Sequence, residues 1–120
     1  MKLALCVCLA LCVAGTASAQ QKTSQGTGAV LRLQEKVSGQ IEDFEMANGE
    51  SQQAGRLTIL LQECRYPPDN PAGEAFAYIV VREENRAEPV FQGWMIGSSP
   101  ALNAMEHPRY DVWVLRCMTE

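Results

Sequence analysis

Along most of this chain apolar and polar residues alternate with a period of two. Ala29, Leu31 and Leu33 alternate with Val30, Arg32 and Gln34, the signature of a half-buried β-strand. Ser38-Gly39 predicts a tight turn into a second strand over Gln40–Met46. Ile41 falls out of phase with Phe44 and Met46 there, and a β-bulge near Glu42-Asp43 would restore the phase. Asn48-Gly49 marks a turn, and Gly55 ends the connection that follows. Leu57–Cys64 and Ala75–Val81 begin apolar on both faces and predict central strands. Between them Pro67, Pro68 and Pro71 remove backbone donors and fix φ, which predicts a stiff exposed loop. Residues 83–89 form a charged turn, followed by a strand over Val90–Ile96.

The periodicity then changes. Ser99 is suited to an N-cap and Pro100 to the first helical position, where its missing N–H would be unpaired anyway. Ala101, Leu102 and Met105 give about two turns of apolar stripe, and Pro108 disfavours helical geometry at His107. Period two returns over Tyr110–Cys117, with Trp113, Leu115 and Cys117 on one face and Tyr110, Val112 and Val114 on the other. Large aromatics dominate cores, so Trp94 and Trp113 are expected inside, on adjacent strands. The expected fold is all-β, a small barrel-like or sandwich-like domain of about six strands. One short helix precedes the last strand.

The first 19 residues change the picture of the whole. Lys2, the apolar run Leu3–Ala14 and the small residues Ala17 and Ala19 read as a secretory signal peptide cleaved after Ala19. That run is too short for a bilayer-crossing helix, which needs about 20 residues. Residues 20–28 lack any bulky apolar side chain and read as a flexible leader, which leaves a single domain over 29–120. Cleavage removes Cys6, Cys8 and Cys12, and an oxidising destination then predicts a disulfide between Cys64 and Cys117. Such a link would tie the last strand to the strand over Leu57–Cys64 and favour a closed or nearly closed sheet. The expected address is periplasmic. The exported chain would carry nine Lys+Arg, Lys2 being lost, against fourteen Asp+Glu, a formal charge of −5. Acidic balance with scattered basic residues speaks against nucleic acid, and no second apolar run predicts a membrane span.

Candidate chemistry concentrates in residues 94–117. Ser98 or Ser99 with His107 and Asp111 has the residue types of a Ser-His-Asp triad, without the Gly-x-Ser-x-Gly elbow. His107 beside Pro108 also suits a helix-end cap. Trp94, Tyr110 and Trp113 could stack on sugars, with Asn103, Glu106 and Asp111 bonding hydroxyls. Glu106, His107 and Asp111 are thin provision for a metal, with a single imidazole among them. No phosphate loop or haem motif occurs, so no metal and no cofactor are expected.

Several blocks resemble the family of small exported bacterial proteins catalogued as Domain of Unknown Function 2155. They are Val37-Ser38-Gly39 with Phe44; Gly55-Arg56-Leu57 leading to Cys64 and Tyr66-Pro67-Pro68; Phe91-Gln92-Gly93-Trp94-Met95; Ser98 through Pro108; and Tyr110 through Cys117. The resemblance implies an envelope or periplasmic address and cysteines at both matching positions, and it implies no activity, cofactor or catalytic residue. The expected role is a non-enzymatic periplasmic binding or protein-interaction module, engaging an envelope protein or glycan through Asn103, Glu106, His107, Tyr110 and Asp111. The alternative is a small envelope hydrolase using Ser99, His107 and Asp111.

Overall fold

The computed structural model describes residues 22–120, so the export segment read in residues 1–19 and the first two leader positions lie outside the described residues. Eight strands run in chain order: β1 (Ser24–Gln25), β2 (Gly28–Glu35), β3 (Ile41–Ala47), β4 (Ser51–Ala54), β5 (Leu57–Tyr66), β6 (Phe76–Glu83), β7 (Phe91–Ile96) and β8 (Tyr110–Met118). One sheet has the order β1-β5-β6-β7, with β4 on the same side of β5 as β1; the other is β3-β2-β8. All pairings are antiparallel. The barrel-or-sandwich alternative resolves as two sheets that bury one shared core between them.

The core follows from alternation. β2 points Ala29, Leu31 and Leu33 inward, β3 points Phe44 and Met46, β5 points Leu57, Ile59 and Leu61, and β6 points Ala77, Ile79 and Val81. A disulfide joins Cys64 on β5 to Cys117 on β8, so it staples one sheet to the other. Beside it the chain itself crosses between sheets. The amide of Gly26 donates to Cys64 O on one sheet, and that of Thr27 donates to Met118 O on the other. A side chain at Gly26 would sit 2.6 Å from Met118 O and 3.2 Å from Cys117 Cβ, so only glycine lets the crossing lie this close to the disulfide.

Several expectations need correction. The leader is already structured from Ser24, because β1 pairs with Arg65 and Tyr66 and Gly28 opens β2. Backbone ladder bonds, rather than burial of large side chains, order this glycine- and threonine-rich stretch. β4 is a strand that the sequence pattern does not predict, because Ser-Gln-Gln-Ala carries no hydrophobic alternation; it is held by pairing with Leu57–Leu60 across the Gly55-Arg56 turn.

The bulge expected near Glu42-Asp43 is absent, since β2 and β3 pair in unbroken register from Gly28↔Ala47 to Gln34↔Ile41. Ile41 is simply exposed, at 55%. The irregularities fall elsewhere, at Gln62 between the Leu61 and Glu63 pairings and at Leu115 opposite Val30/Leu31. The second resets the last strand. Tyr110, Val112 and Val114 face inward, Leu115 and Arg116 both face out, and Cys117 returns to the core. Trp113 therefore lies on the outer face and is only half-buried. Trp94 is 36% exposed, and β7 and β8 belong to different sheets. The indoles do not fill the core. The helix before the last strand is a single 3-10 turn, Pro100–Leu102, with Pro100 at its start and no side-chain cap from Ser99.

Replacing Cys64 and Cys117 together by alanine should lower the unfolding free energy by up to about 4 kcal/mol, the chain-entropy value for a loop of this length. Urea unfolding of the oxidised protein and the double variant measures the difference. A loss below about 1 kcal/mol would show that packing and the Gly26 crossing hold the sheets together unaided.

Candidate functional site

The stretch that concentrates the candidate chemistry turns out to be a tightly bonded connection from β7 to β8. Glu74, just before β6, anchors its start: Glu74 Oε1 accepts from the Ser98 amide (2.8 Å) and the Ala75 amide (3.2 Å), and Ser98 Oγ donates to Glu74 Oε2. Partial burial would push the Glu74 carboxyl up, but the bonds from Ser98, Ala75 and Gly97 outweigh it and hold it below the ordinary glutamate range. Further on, Asn103 Nδ2 donates to Trp94 O (2.7 Å), which satisfies a carbonyl on β7 that no strand beyond it takes up.

His107 is the anchor at the far end. Its ring is buried, with Nδ1 accepting from the amides of Arg109 (3.0 Å) and Tyr110 (3.1 Å) and Nε2 lying 3.2 Å from Glu83 Oε2. Two amides aimed at Nδ1 place the ring proton on Nε2, which donates to Glu83. Glu83 is the last residue of β6, on the face that Ile79 and Val81 turn inward, so the knot ties the connection to the end of that sheet. The hydrogen bond from His107, aided by Arg86 and opposed by partial burial, holds the Glu83 carboxyl below its ordinary value. Lys36 adds a second tie, donating from Nζ to His107 O (2.7 Å) and pairing with Asp111 Oδ1 (3.3 Å).

These partners decide the chemistry that the cluster can perform. Ser98 is bonded to Glu74, both ring nitrogens of His107 are occupied, and Asp111 pairs with Lys36 rather than with the imidazole. Ser99 donates its amide to Ile96 O, and its hydroxyl makes no hydrogen bond to His107 among the described residues. Nothing here relays a proton from a serine, since no ring nitrogen is left to accept one. Nor is His107 a helix-end cap, because the 3-10 turn ends at Leu102. As metal ligands the three residues point apart: Glu106 is exposed, His107 faces Glu83 and Asp111 faces Lys36.

The five-residue interaction surface likewise divides. Asn103 and Glu106 are exposed, Asp111 is half-buried, and His107 and Tyr110 lie inside at 8% and 5% exposure. Tyr110 is inward because β8 keeps its phase up to Val114, and it packs against the His107 ring at 5.4 Å between centroids.

A different surface comes together on the outer face of the β1-β5-β6-β7 sheet. Tyr78 stands directly across from Trp94 in register, and the two rings meet edge to face, 5.2 Å apart at 80°. The Arg65 guanidinium lies 5.9 Å from the indole centroid, and Phe76 is the register partner of both Arg65 and Ile96. Thr23, Arg65, Phe76 and Trp94 line a shallow groove of about 210 Å³. The alternation Phe76-Ala77-Tyr78 carried a signal for this patch, but residues 75–81 read as a strand buried on both faces. Its outer side is in fact half open. Arg65 and Trp94 are separated by 29 positions in the chain, and only strand pairing brings them together.

An antiparallel two-sheet domain with an inter-sheet disulfide, no helix long and apolar enough to cross a membrane among the described residues, and an aromatic outer face defines the class structurally. Residues 29–117 match the family described as an uncharacterized protein conserved in bacteria, DUF2155, and the chain belongs to that family. It is also similar to the uncharacterized protein RP359 of Rickettsia prowazekii (strain Madrid E), at 28% identity over 85 residues covering 68% of this chain and 55% of the relative. The chain thus spans about half the length of that curated relative. No solved structure matches.

Two outcomes follow from the His107 knot. His107→Ala should cost about 1–3 kcal/mol for each buried amide left without its acceptor, read by urea unfolding. The Glu83 carboxyl is held below its ordinary value, so its contribution is complete above about pH 4.5 and is lost as pH falls through its folded-state value. Thermal melts from neutral to acidic pH should show Glu83→Gln less acid-sensitive than the native protein. Identical pH profiles would mean that the pair carries no linkage.

Proposed function

We propose that the chain is a non-enzymatic binding module of the cell envelope, exported by its first 19 residues to the periplasm and engaging an envelope protein or glycan. The surface it uses is the outer face around Trp94, not the connection over residues 97–109. One observation carries this reading: a tryptophan 36% exposed on a sheet face, braced edge-on by Tyr78 and approached by Arg65. Rigid aromatics and arginine dominate binding surfaces because they supply large contact area at little entropic cost. Tyr78 and Trp94 hold each other in place before any partner arrives, which lowers the cost of ordering on binding. Of the residues that suggested hydrolysis, Ser98, His107 and Asp111 are engaged in holding the connection together, and the Ser99 hydroxyl makes no hydrogen bond to the imidazole among the described residues.

Retention of the purified protein on peptidoglycan sacculi and chemical crosslinking in envelope extracts test the reading together. Trp94→Ala should weaken capture at least about fivefold, since truncating an anchoring aromatic costs more than ~1 kcal/mol. Val37→Ala, at a position 81% exposed on a turn, should change nothing. Equal capture by Trp94→Ala and the native protein would remove this face as the binding surface.

A further inference from the structure

The end of the sandwich away from the disulfide carries a second feature, on the inside rather than the outside. In β2 the inward positions Ala29, Leu31 and Leu33 are followed by Glu35. In β3 the inward positions Met46 and Phe44 are preceded by Glu42, which lies opposite Leu33 in register. In β8 the inward series begins at Tyr110, opposite Glu35. Strand phase therefore brings half-buried Glu35 and the Tyr110 phenol to this end of the interior, with Glu42 exposed at its rim. They open on a cleft of about 430 Å³ with Leu33 and Ala54 as its apolar floor and Gly55 at its lip. That volume is within the range of small-molecule sites, roughly 300–1,000 Å³.

Tyr110 gives this mouth a direction. Its side chain is 95% withdrawn from solvent, yet among the described residues its hydroxyl makes no hydrogen bond to protein. The hydroxyl packs beside Gly55, whose φ is +57° and where an added methyl group would overlap it. A glycine is thus required at the lip for the phenol to reach the cleft. The two carboxylates differ. Glu35 accepts from Ser38 Oγ (3.1 Å) and Arg109 (3.3 Å), while Glu42 makes no ion pair among the described residues. An exposed carboxylate without a cation at the rim, beside an otherwise buried phenol whose hydroxyl opens on the cleft without a protein acceptor, offers a ligand two polar partners.

We propose that this cleft binds an organic ammonium group on a short alkyl arm. The ammonium would pair with Glu42, the alkyl arm would lie on Leu33 and Ala54, and an acceptor on the ligand would take the Tyr110 hydroxyl proton. An anion is disfavoured by the two carboxylates. A hard divalent ion is disfavoured because no three acidic, histidine or cysteine side chains gather among the described residues. The same chemistry is offered by a free diamine and by a lysine side chain on a partner polypeptide. The site is separate from the Trp94 face, and each stands or falls without the other.

Amide chemical-shift titration of isotope-labelled protein tests the proposal with 1,5-diaminopentane, an end-blocked lysine tripeptide and 1-pentanol. Either amine should give saturable shifts at Leu33, Gly55 and Tyr110 with a Kd near or below about 1 mM, and 1-pentanol should give none. Tighter binding of the tripeptide assigns the ligand to a polypeptide, and tighter binding of the diamine assigns it to a free amine. Glu42→Gln and Tyr110→Phe, which keep side-chain shape and ring packing, should each weaken binding about tenfold. Trp94→Ala should leave it unchanged. Absence of saturable shifts with both amines, or undiminished binding to folded Glu42→Gln, would overturn the proposal.

Discussion

Two sheets held together at one end account for most of what this protein presents to its surroundings. The Cys64–Cys117 link and the Gly26-Thr27 crossing lie side by side, so covalent and backbone ties coincide at the same end of the sandwich. At that end the sheets are tied covalently and by backbone bonds, and the inward strand positions Ala29, Met46 and Ala77 are apolar. At the other end no disulfide lies among the described residues, and the strand phase turns acidic at half-buried Glu35 and exposed Glu42. The disulfide adds stability at one end by limiting the unfolded chain, which offsets part of what the polar groups at the opposite mouth leave unburied.

The side between β7 and β8 is handled differently. These strands end their respective sheets, and the connection over residues 97–109 bonds along their margin. Glu74 fastens its start, Asn103 takes a β7 carbonyl, and His107 fastens its end to Glu83 and to the amides leading into β8. A segment rich in polar residues with only a 3-10 turn of its own gains its order from side-chain bonds. This explains why residues that look catalytic in sequence sit together there. They fasten the connection to Glu74, Glu83 and Lys36 and to its own amides, while Asn103 takes a β7 carbonyl that a further strand would have used.

With that connection committed to structure, the exposed aromatic chemistry falls on the sheet face. Cross-strand register, not proximity in the chain, assembles Arg65, Phe76, Tyr78 and Trp94. A flat face of paired strands holds rings at fixed spacing, and rigid presentation is what a recognition surface requires.

Alternation along the chain was enough to make the protein all-β, to place six of its strands, and to mark the turns at Ser38-Gly39 and Asn48-Gly49. The expectation of an oxidising destination, with Cys64 and Cys117 the two cysteines outside residues 1–19, was enough to pair them. These are local or compositional properties, and they survive without knowledge of neighbours. The short strands β1 and β4 were invisible because they are held by partners on β5 and carry no hydrophobic signal. The direction of Trp113 was decided by one extra residue at Leu115, and that of Trp94 by β7 closing its sheet with its outer face uncovered. Tyr110 and His107 went inward for the same reason, since phase in β8 and a carboxylate at the end of β6 drew them there. Period two in the sequence thus determined that each strand has two faces. Which face meets the core depends on bulges and on the partner sheet, and those arise only when distant strands pair.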